Sequence, residues 1–480
     1  MTRSKEGFLW TPQTTTDGLE TEAVIQSSKI IKSTYDVIVI GSGFAGLIAA
    51  RNLTQDSSLR VLLVEARDRI GGRTWTVKAF GEEFEMGGTW VHWNQPHLYN
   101  ELHRYGLHRY LKTSAGTMKP EKYYFKPAHS PVRGISPEES VAALERVAES
   151  RALMPFPHEP FREPAIWMKY DHLTVKQRLD HLGGLSQFEK DIFESNVATF
   201  GSAPGSDIGF TEVLRWFALG GHSMAGVFER AGIYKLGNGG MTAFARAILR
   251  DFQGDVLFNT VVQKVDQGRN GVSLQMQDGR RIDAKAVVST IPLNCLGDIT
   301  FNPPLSALKT DAIASGHINK GAKIHFSLAA TEPGWFATCS ASGTSLYVFA
   351  LSDHNGHEPS GPRGTWCIGF GYNGHLVDKR NSKGIIEAFR ENLRPDAEVQ
   401  AYLTHNWMND PYAKGNWSCW GPNRFSRSVQ ELQKADGRVF FASADWADGW
   451  RGFVDGAIES GQKSANDVKE FLNSQHRVKL

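Results

Sequence analysis

The chain has four cysteines in 480 residues, at Cys295, Cys339, Cys367 and Cys419, and no CxxC pair. That excludes a disulfide framework and a cysteine-zinc site, and reads as reduced thiols inside a cell. No run of about 18 apolar residues occurs, so no helix is expected to span a membrane. Met1-Thr2-Arg3-Ser4-Lys5-Glu6 leads into no apolar segment, so no secretory leader is expected. Charge of one sign is not in excess either: 53 basic and 51 acidic residues leave a net +2. Nothing there points to nucleic acid or an anionic membrane as partner. No Ser/His/Asp or metal-ligand constellation is evident, and no internal repeat is visible.

What is present is an ordinary globular balance, 41% hydrophobic and 22% charged. The length calls for two or three structural units. Residues 1–34, rich in Thr, Ser and Gln, read as an arm, loose or laid over the surface. Asp36-Val37-Ile38-Val39-Ile40 is a short apolar run, the mark of a buried parallel strand. Helix formers follow over Leu47 to Leu53, then a second apolar run, Arg60 to Glu65, making a βαβ unit. Residues 130–230 read as a mainly helical insertion. Strand patterns return near 232; Lys323 to Leu328 alternates like a half-exposed strand. Val439 to Leu472 reads as strand, turn and helix rejoining the first unit.

Between the first strand and helix stands Gly41-Ser42-Gly43-Phe44-Ala45-Gly46, a GxGxxG, with Glu65 ending the next strand. In that setting the motif is a dinucleotide fingerprint. Gly41 permits the turn, Gly43 clears room for a pyrophosphate, Gly46 allows close packing, and Glu65 can accept from a ribose diol. The helix N-terminus offers free N–H groups to phosphate. Glu65-Ala66-Arg67 continues through Gly71-Gly72-Arg73, a cationic glycine-rich turn, and Gly87-Gly88-Thr89-Trp90 offers backbone to a flat ring system. That continuation favours FAD over NAD.

Val37 to Arg73 resembles the fingerprint of the flavin-containing amine oxidase family, and Gly87-Gly88 its stretch beside the isoalloxazine. Glu85 to Trp93, Pro155-Phe156-Pro157-His158 and Ser443-Ala444-Asp445-Trp446 resemble the fungal monoamine oxidases of the MAO-N type. The likeness runs from about 35 to 470. It implies an α/β fold: a Rossmann-like, GR2-type FAD domain (35–109, 232–300, 436–475) interleaved with an α+β substrate domain (110–231 mainly helical, 301–435 sheet and helix), beside the arm and a tail over 476–480. It implies that Val262 meets the adenine through its backbone, Lys323 holds a water against flavin N5, Trp407 lies beside the ring, and Asp445 stands near the ribityl chain. The helix after Phe453-Val454 would point its positive end at the pyrimidine edge. Each has a plainer reading, as surface lysine, core ring, strand residue or helix cap.

Trp417 and Phe453 match the two rings between which the family's amine passes. Asn416 precedes Trp417 where animal relatives carry an FAD-bonded cysteine, and Cys419 is out of register, so noncovalent FAD is expected. The implied reaction oxidises a small primary or secondary amine with O2, giving an imine, then aldehyde, ammonia and hydrogen peroxide. His92 is read as structural. Rival readings are a polyamine oxidase, an L-amino-acid oxidase using Arg363 or Arg424 as a clamp, a dehydrogenase, or a non-catalytic binding protein. A homo-oligomer stays open. Val478-Lys479-Leu480 resembles the Ser-Lys-Leu peroxisomal address, with Val where a small residue is expected; the alternatives are cytoplasm and peroxisome.

Overall fold

The computed structural model describes residues 2–55, 57–113, 120–140, 147–340, 345–356 and 364–477. Arg363 and the C-terminal tripeptide lie outside them.

Thr34–Ile40 is the centre of the first sheet. It pairs in parallel with Val61–Val64 on one side and Arg281–Ser289 on the other. Val439–Phe441 joins Arg281–Ser289, also in parallel. Residues 35–40 are buried without alternation, because both faces pack into apolar cores, Val37 and Val39 on one side and Ile38 and Ile40 on the other. Helix Phe44–Thr54 packs against the C-terminal helix Val454–Arg477 so closely that a Cβ on Gly461 would lie 2.4 Å from the Ala45 carbonyl oxygen. Chain segments more than 400 residues apart thus build one layer.

The second sheet has nine strands, with Lys323–Leu328 held antiparallel between Thr365–Gly371 and Val399–His405. Helices Gln187–Gly201 and Phe210–Leu219 belong to the mainly helical stretch within residues 130–230. Every residue of Lys323–Leu328 is buried, so the strand is not half-exposed. Its apolar members Ile324 and Phe326 join a core with Phe389. The polar side is covered too: Lys323 and His325 both donate to the Glu85 carbonyl, at 2.7 and 2.8 Å. Alternation here records a boundary between two parts of the protein rather than a boundary with water.

Parts of the first 34 residues are built into the fold, while others, such as Ile30, lie exposed over it. Phe8–Trp10 extends the nine-stranded sheet beside Val399–His405, and Glu20–Thr21 pairs with Thr76–Ala79. Phe8 is fully buried. Glu6 ties the arm to the nucleotide unit, bonding Arg67 and reaching Arg69 at 2.6 Å. Burial by itself would raise Glu6, but Arg69 and Arg67 outweigh it and hold the carboxyl below its usual range. Composition alone could not show this, because the partners are over 60 residues away. Glu6→Ala leaves two buried guanidiniums short of a counter-charge and is expected to lower stability by roughly 3 kcal/mol. A urea midpoint unchanged from the parent protein would contradict that.

Candidate active site

One continuous cavity of about 1260 Å³ runs from the Gly41 turn to the nine-stranded sheet. Single small-molecule sites span roughly 300–1,000 Å³, so this one has room for two occupants end to end.

At the first end, strand Thr34–Ile40 stops at Gly41, whose φ of +101° suits glycine, and a Cβ there would lie 2.6 Å from Thr290 Oγ1. A Cβ on Gly46 would sit 1.9 Å from the Gly41 carbonyl oxygen. Gly43 differs. The nearest atom to a Cβ there is Gly72 Cα at 3.9 Å, so its missing side chain clears the cavity rather than the packing. No side chain caps the helix that follows, and its first N–H groups stay available. Glu65 is buried and lines the cavity. One of its oxygens accepts from the Ser42 amide and hydroxyl at 2.7 and 2.8 Å, the other from the Arg67 amide at 2.9 Å. Ala45, Ala66, Gly72 and Val262 line the same end.

Two expected cofactor residues stand differently. Arg67 lines the cavity, but its guanidinium is bonded to Asp410, at 2.7 and 2.8 Å, and to Glu6, an internal tie. Asp445 is fully buried and does not line the cavity. It pairs with Arg73 at 2.8 Å and accepts the Leu293 amide at 2.9 Å. Burial would raise Asp445, but Arg73 wins and keeps it low. Arg73 also donates to the Asn416 carbonyl at 2.7 Å, so it joins the glycine-rich turn to the loop carrying Trp417. Asp445 therefore positions Arg73.

In the middle, Gly87 and Gly88 leave a bare backbone wall: Cβ atoms there would lie 1.9 Å from the Arg73 carbonyl oxygen and 2.4 Å from Thr74 Cγ2. Thr89, Trp90 and Val454 continue that wall. Trp407 closes it, its Nε1–H bound to the Met86 carbonyl at 2.8 Å. Lys323 Nζ donates to the carbonyls of Glu85 and Gly87, at 2.7 and 2.9 Å, and bonds Thr89 Oγ1. Burial pushes its ammonium well below the usual lysine range, while Glu85 pulls the other way. Glu85 is itself pushed up by burial.

At the far end the walls are aromatic. Trp417 and Phe453 both line it, on loops in contact: a Cβ on Gly452 would lie 3.0 Å from the Ser418 carbonyl oxygen. Trp417 meets the Phe370 ring edge-on at 6.0 Å, and Phe370 stacks on Phe349 at 4.4 Å. Phe200, Phe228 and Phe336 add to this wall. Sequence reading missed these five phenylalanines. They come from separate strands and helices, and only the sheet order brings them together.

His92 does not line the cavity; its Nδ1 accepts the Asn94 amide at 2.9 Å. Cys419 is buried away from it. Arg424 pairs with Asp311 at 2.9 Å and does not line the cavity.

Residues 44–469 match the family model for flavin-containing amine oxidoreductases. The chain belongs to this family. It is 35% identical over 448 residues to a pseudooxynicotine dehydrogenase from Pseudomonas sp, covering 92% of this chain and 88% of that one. It is 33% identical over 445 residues to a nicotine dehydrogenase from Pseudomonas putida, covering 92% and 89%. Among solved structures, cyclohexylamine oxidase from Brevibacterium oxydans shares the fold, with a TM-score of 0.70, 22% identity and coverage of 92% and 99%. A redesigned putrescine oxidase does so at 0.76 and 20%, with 91% and 99% covered.

Membership of the flavin-containing amine oxidoreductases makes the activity FAD-dependent oxidation of an amine. The residues fit FAD. The cleared space at Gly43, the uncapped helix and the Glu65 carboxylate suit its nucleotide half, and the bare Gly87-Gly88 wall suits a flat ring. Among the described residues, no helix is long and apolar enough to cross a membrane.

Proposed function

We propose that the protein oxidises a monoamine, primary or secondary, that carries an apolar ring, with oxygen as electron acceptor and FAD held noncovalently. The observation that carries this is the aromatic far end of the cavity. Its lining cations among the described residues are Arg67, Arg73 and Lys323 alone, and all three are bonded within the protein. Among the described residues no guanidinium is left to clamp a substrate carboxylate, which disfavours an amino acid. Besides Glu65, the acids lining the cavity among the described residues are Glu229 and Asp298, few for a polyamine.

When bound, FAD supplies the acceptor for a hydride from the carbon next to the amine nitrogen. The chain supplies the rest. Trp417 and Phe453 flank the amine with their faces and exclude water. The apolar wall disfavours ammonium, so the neutral amine is the form retained. Lys323 places a donor against the Gly87-Gly88 wall. Its three acceptors can take all three ammonium hydrogens, so a water beside it would bind the neutral amine's lone pair or the Thr89 hydroxyl.

The names of the two Pseudomonas relatives support a nicotine-type amine and also favour a second reading, in which the acceptor is not oxygen. The test is peroxide release with benzylamine, n-butylamine, nicotine and spermidine, run beside bleaching of dichlorophenolindophenol without air. Peroxide from ring-bearing monoamines supports the proposal; dye reduction with no peroxide transfers it to a dehydrogenase. Trp417→Ala is expected to raise KM for a ring-bearing amine at least about tenfold at unchanged flavin content, the loss of about 1.4 kcal/mol of ring contact. An unchanged KM would remove Trp417 from the binding wall.

A further inference from the structure

The first turns of helix Val454–Arg477 carry a polar cluster that the amine chemistry does not use. Helical spacing puts Asp455, Glu459 and Gln462 on one face, turned from the face that holds Val454 and Ala457 to the cavity. His97, near the start of helix Pro96–Arg104, stands against them. One ligand atom each from His97, Asp455 and Glu459 lies within 4.8 Å of the others.

Three details separate this cluster from an ordinary acidic surface. Asp455 is completely buried; one oxygen accepts the Leu98 amide at 2.8 Å, and Oδ2 has no hydrogen-bond partner. A buried carboxylate oxygen left alone costs about 1–3 kcal/mol or more, so it calls for a partner. Among the described residues no lysine or arginine pairs with Asp455 or Glu459. His97 Nδ1 meets Gln462 Oε1 at 3.1 Å. A carboxamide oxygen only accepts, so Nδ1 carries the hydrogen and Nε2 presents its lone pair, as for a metal-binding imidazole held from behind.

Glu459 is likewise oriented, by the Asp448 and Gly449 amides at 3.1 and 3.3 Å. A fourth donor is nearby, outside that 4.8 Å group. The position of a Cβ on Gly449 is 3.0 Å from His158 Nδ1 and 3.3 Å from Glu459 Oε2, so the exposed His158 ring and Glu459 both lie beside that glycine.

We propose that His97, Asp455 and Glu459, with His158 as fourth ligand, bind one divalent metal ion of the zinc type. Two imidazoles and two carboxylates suit zinc or a neighbouring transition metal; calcium and magnesium would want an all-oxygen set. The ion clamps helix Pro96–Arg104 to the turn that carries Phe453 and Val454, and its role is structural.

The test uses tag-free, flavin-loaded protein, dialysed against EDTA, given ZnCl2 and passed through a desalting column. One equivalent of zinc retained by mass spectrometry, with a rise in melting temperature, is expected. CoCl2 in its place should give visible ligand-field bands beyond the flavin absorption. His97→Ala and Glu459→Gln should lose both signals at unchanged flavin content. The exposed His158→Ala, which puts no core contact at risk, should weaken zinc binding about tenfold or more. No zinc retained by the parent protein overturns the proposal, and so does zinc retained equally by all three variants.

Discussion

Gly43→Val is expected to give a folded protein that holds no flavin. Valine can adopt the backbone there, φ −68° and ψ 175°, since both angles lie in the extended region. The nearest protein atom to its Cβ is Gly72 Cα at 3.9 Å, an ordinary contact that the packing can accept. The added methyls fill the space the phosphates need and screen the uncapped N–H groups behind it. Binding should weaken at least about a hundredfold, near 3 kcal/mol. The protein should elute colourless, with the melting curve of flavin-stripped parent protein, and oxidise no amine. Gly46→Ala makes the contrast. There the Cβ would lie 1.9 Å from a backbone oxygen, and folding itself should fail. A yellow, active Gly43→Val protein would mean that the cofactor's phosphates lie elsewhere.

Lys323→Met should slow the return of electrons to oxygen by about 10²–10³ and leave reduction by the amine much less affected. Oxygen reduction builds negative charge, and Nζ is the buried amine against the Gly87-Gly88 wall, able to hold a proton as that charge forms. Methionine keeps the length and removes the amine. It also strips two carbonyls of a donor, at a cost of about 1–3 kcal/mol, so flavin content is the control. Stopped-flow mixing separates the two halves: anaerobic amine first, then oxygenated buffer. Equal rates in the second half for variant and parent would exclude Lys323 from that step.

The nucleotide end was legible because its signals are local. A glycine pattern, the strand before it and the carboxylate after it lie within about 30 residues, and each glycine answers to one steric need. Lys323, Trp417 and Phe453 were reachable only by resemblance; the structure puts all three on the cavity. What stayed hidden depends on distant partners. Arg67 belongs to Asp410, 343 residues on, so its charge serves the scaffold. Asp445 is spent on Arg73. The arm looked detachable because hydrophilic composition conceals Phe8 and Glu6, whose partners lie in other strands. Lys323–Leu328 looked half-wet because alternation does not say what covers the polar face.

The pairing of the helix near residue 45 with the helix near residue 461 has a consequence for synthesis. The glycine turn leaves the ribosome well before the strand and helix that complete its layer, Val439–Phe441 and Val454–Arg477. At about 5–20 residues per second, some 400 residues separate them by roughly 20–80 seconds. The cofactor's berth is therefore finished only after that interval. Until then a bare parallel strand edge and an uncovered helix face wait for their partners, and early holding by a chaperone matters more to yield than any late step.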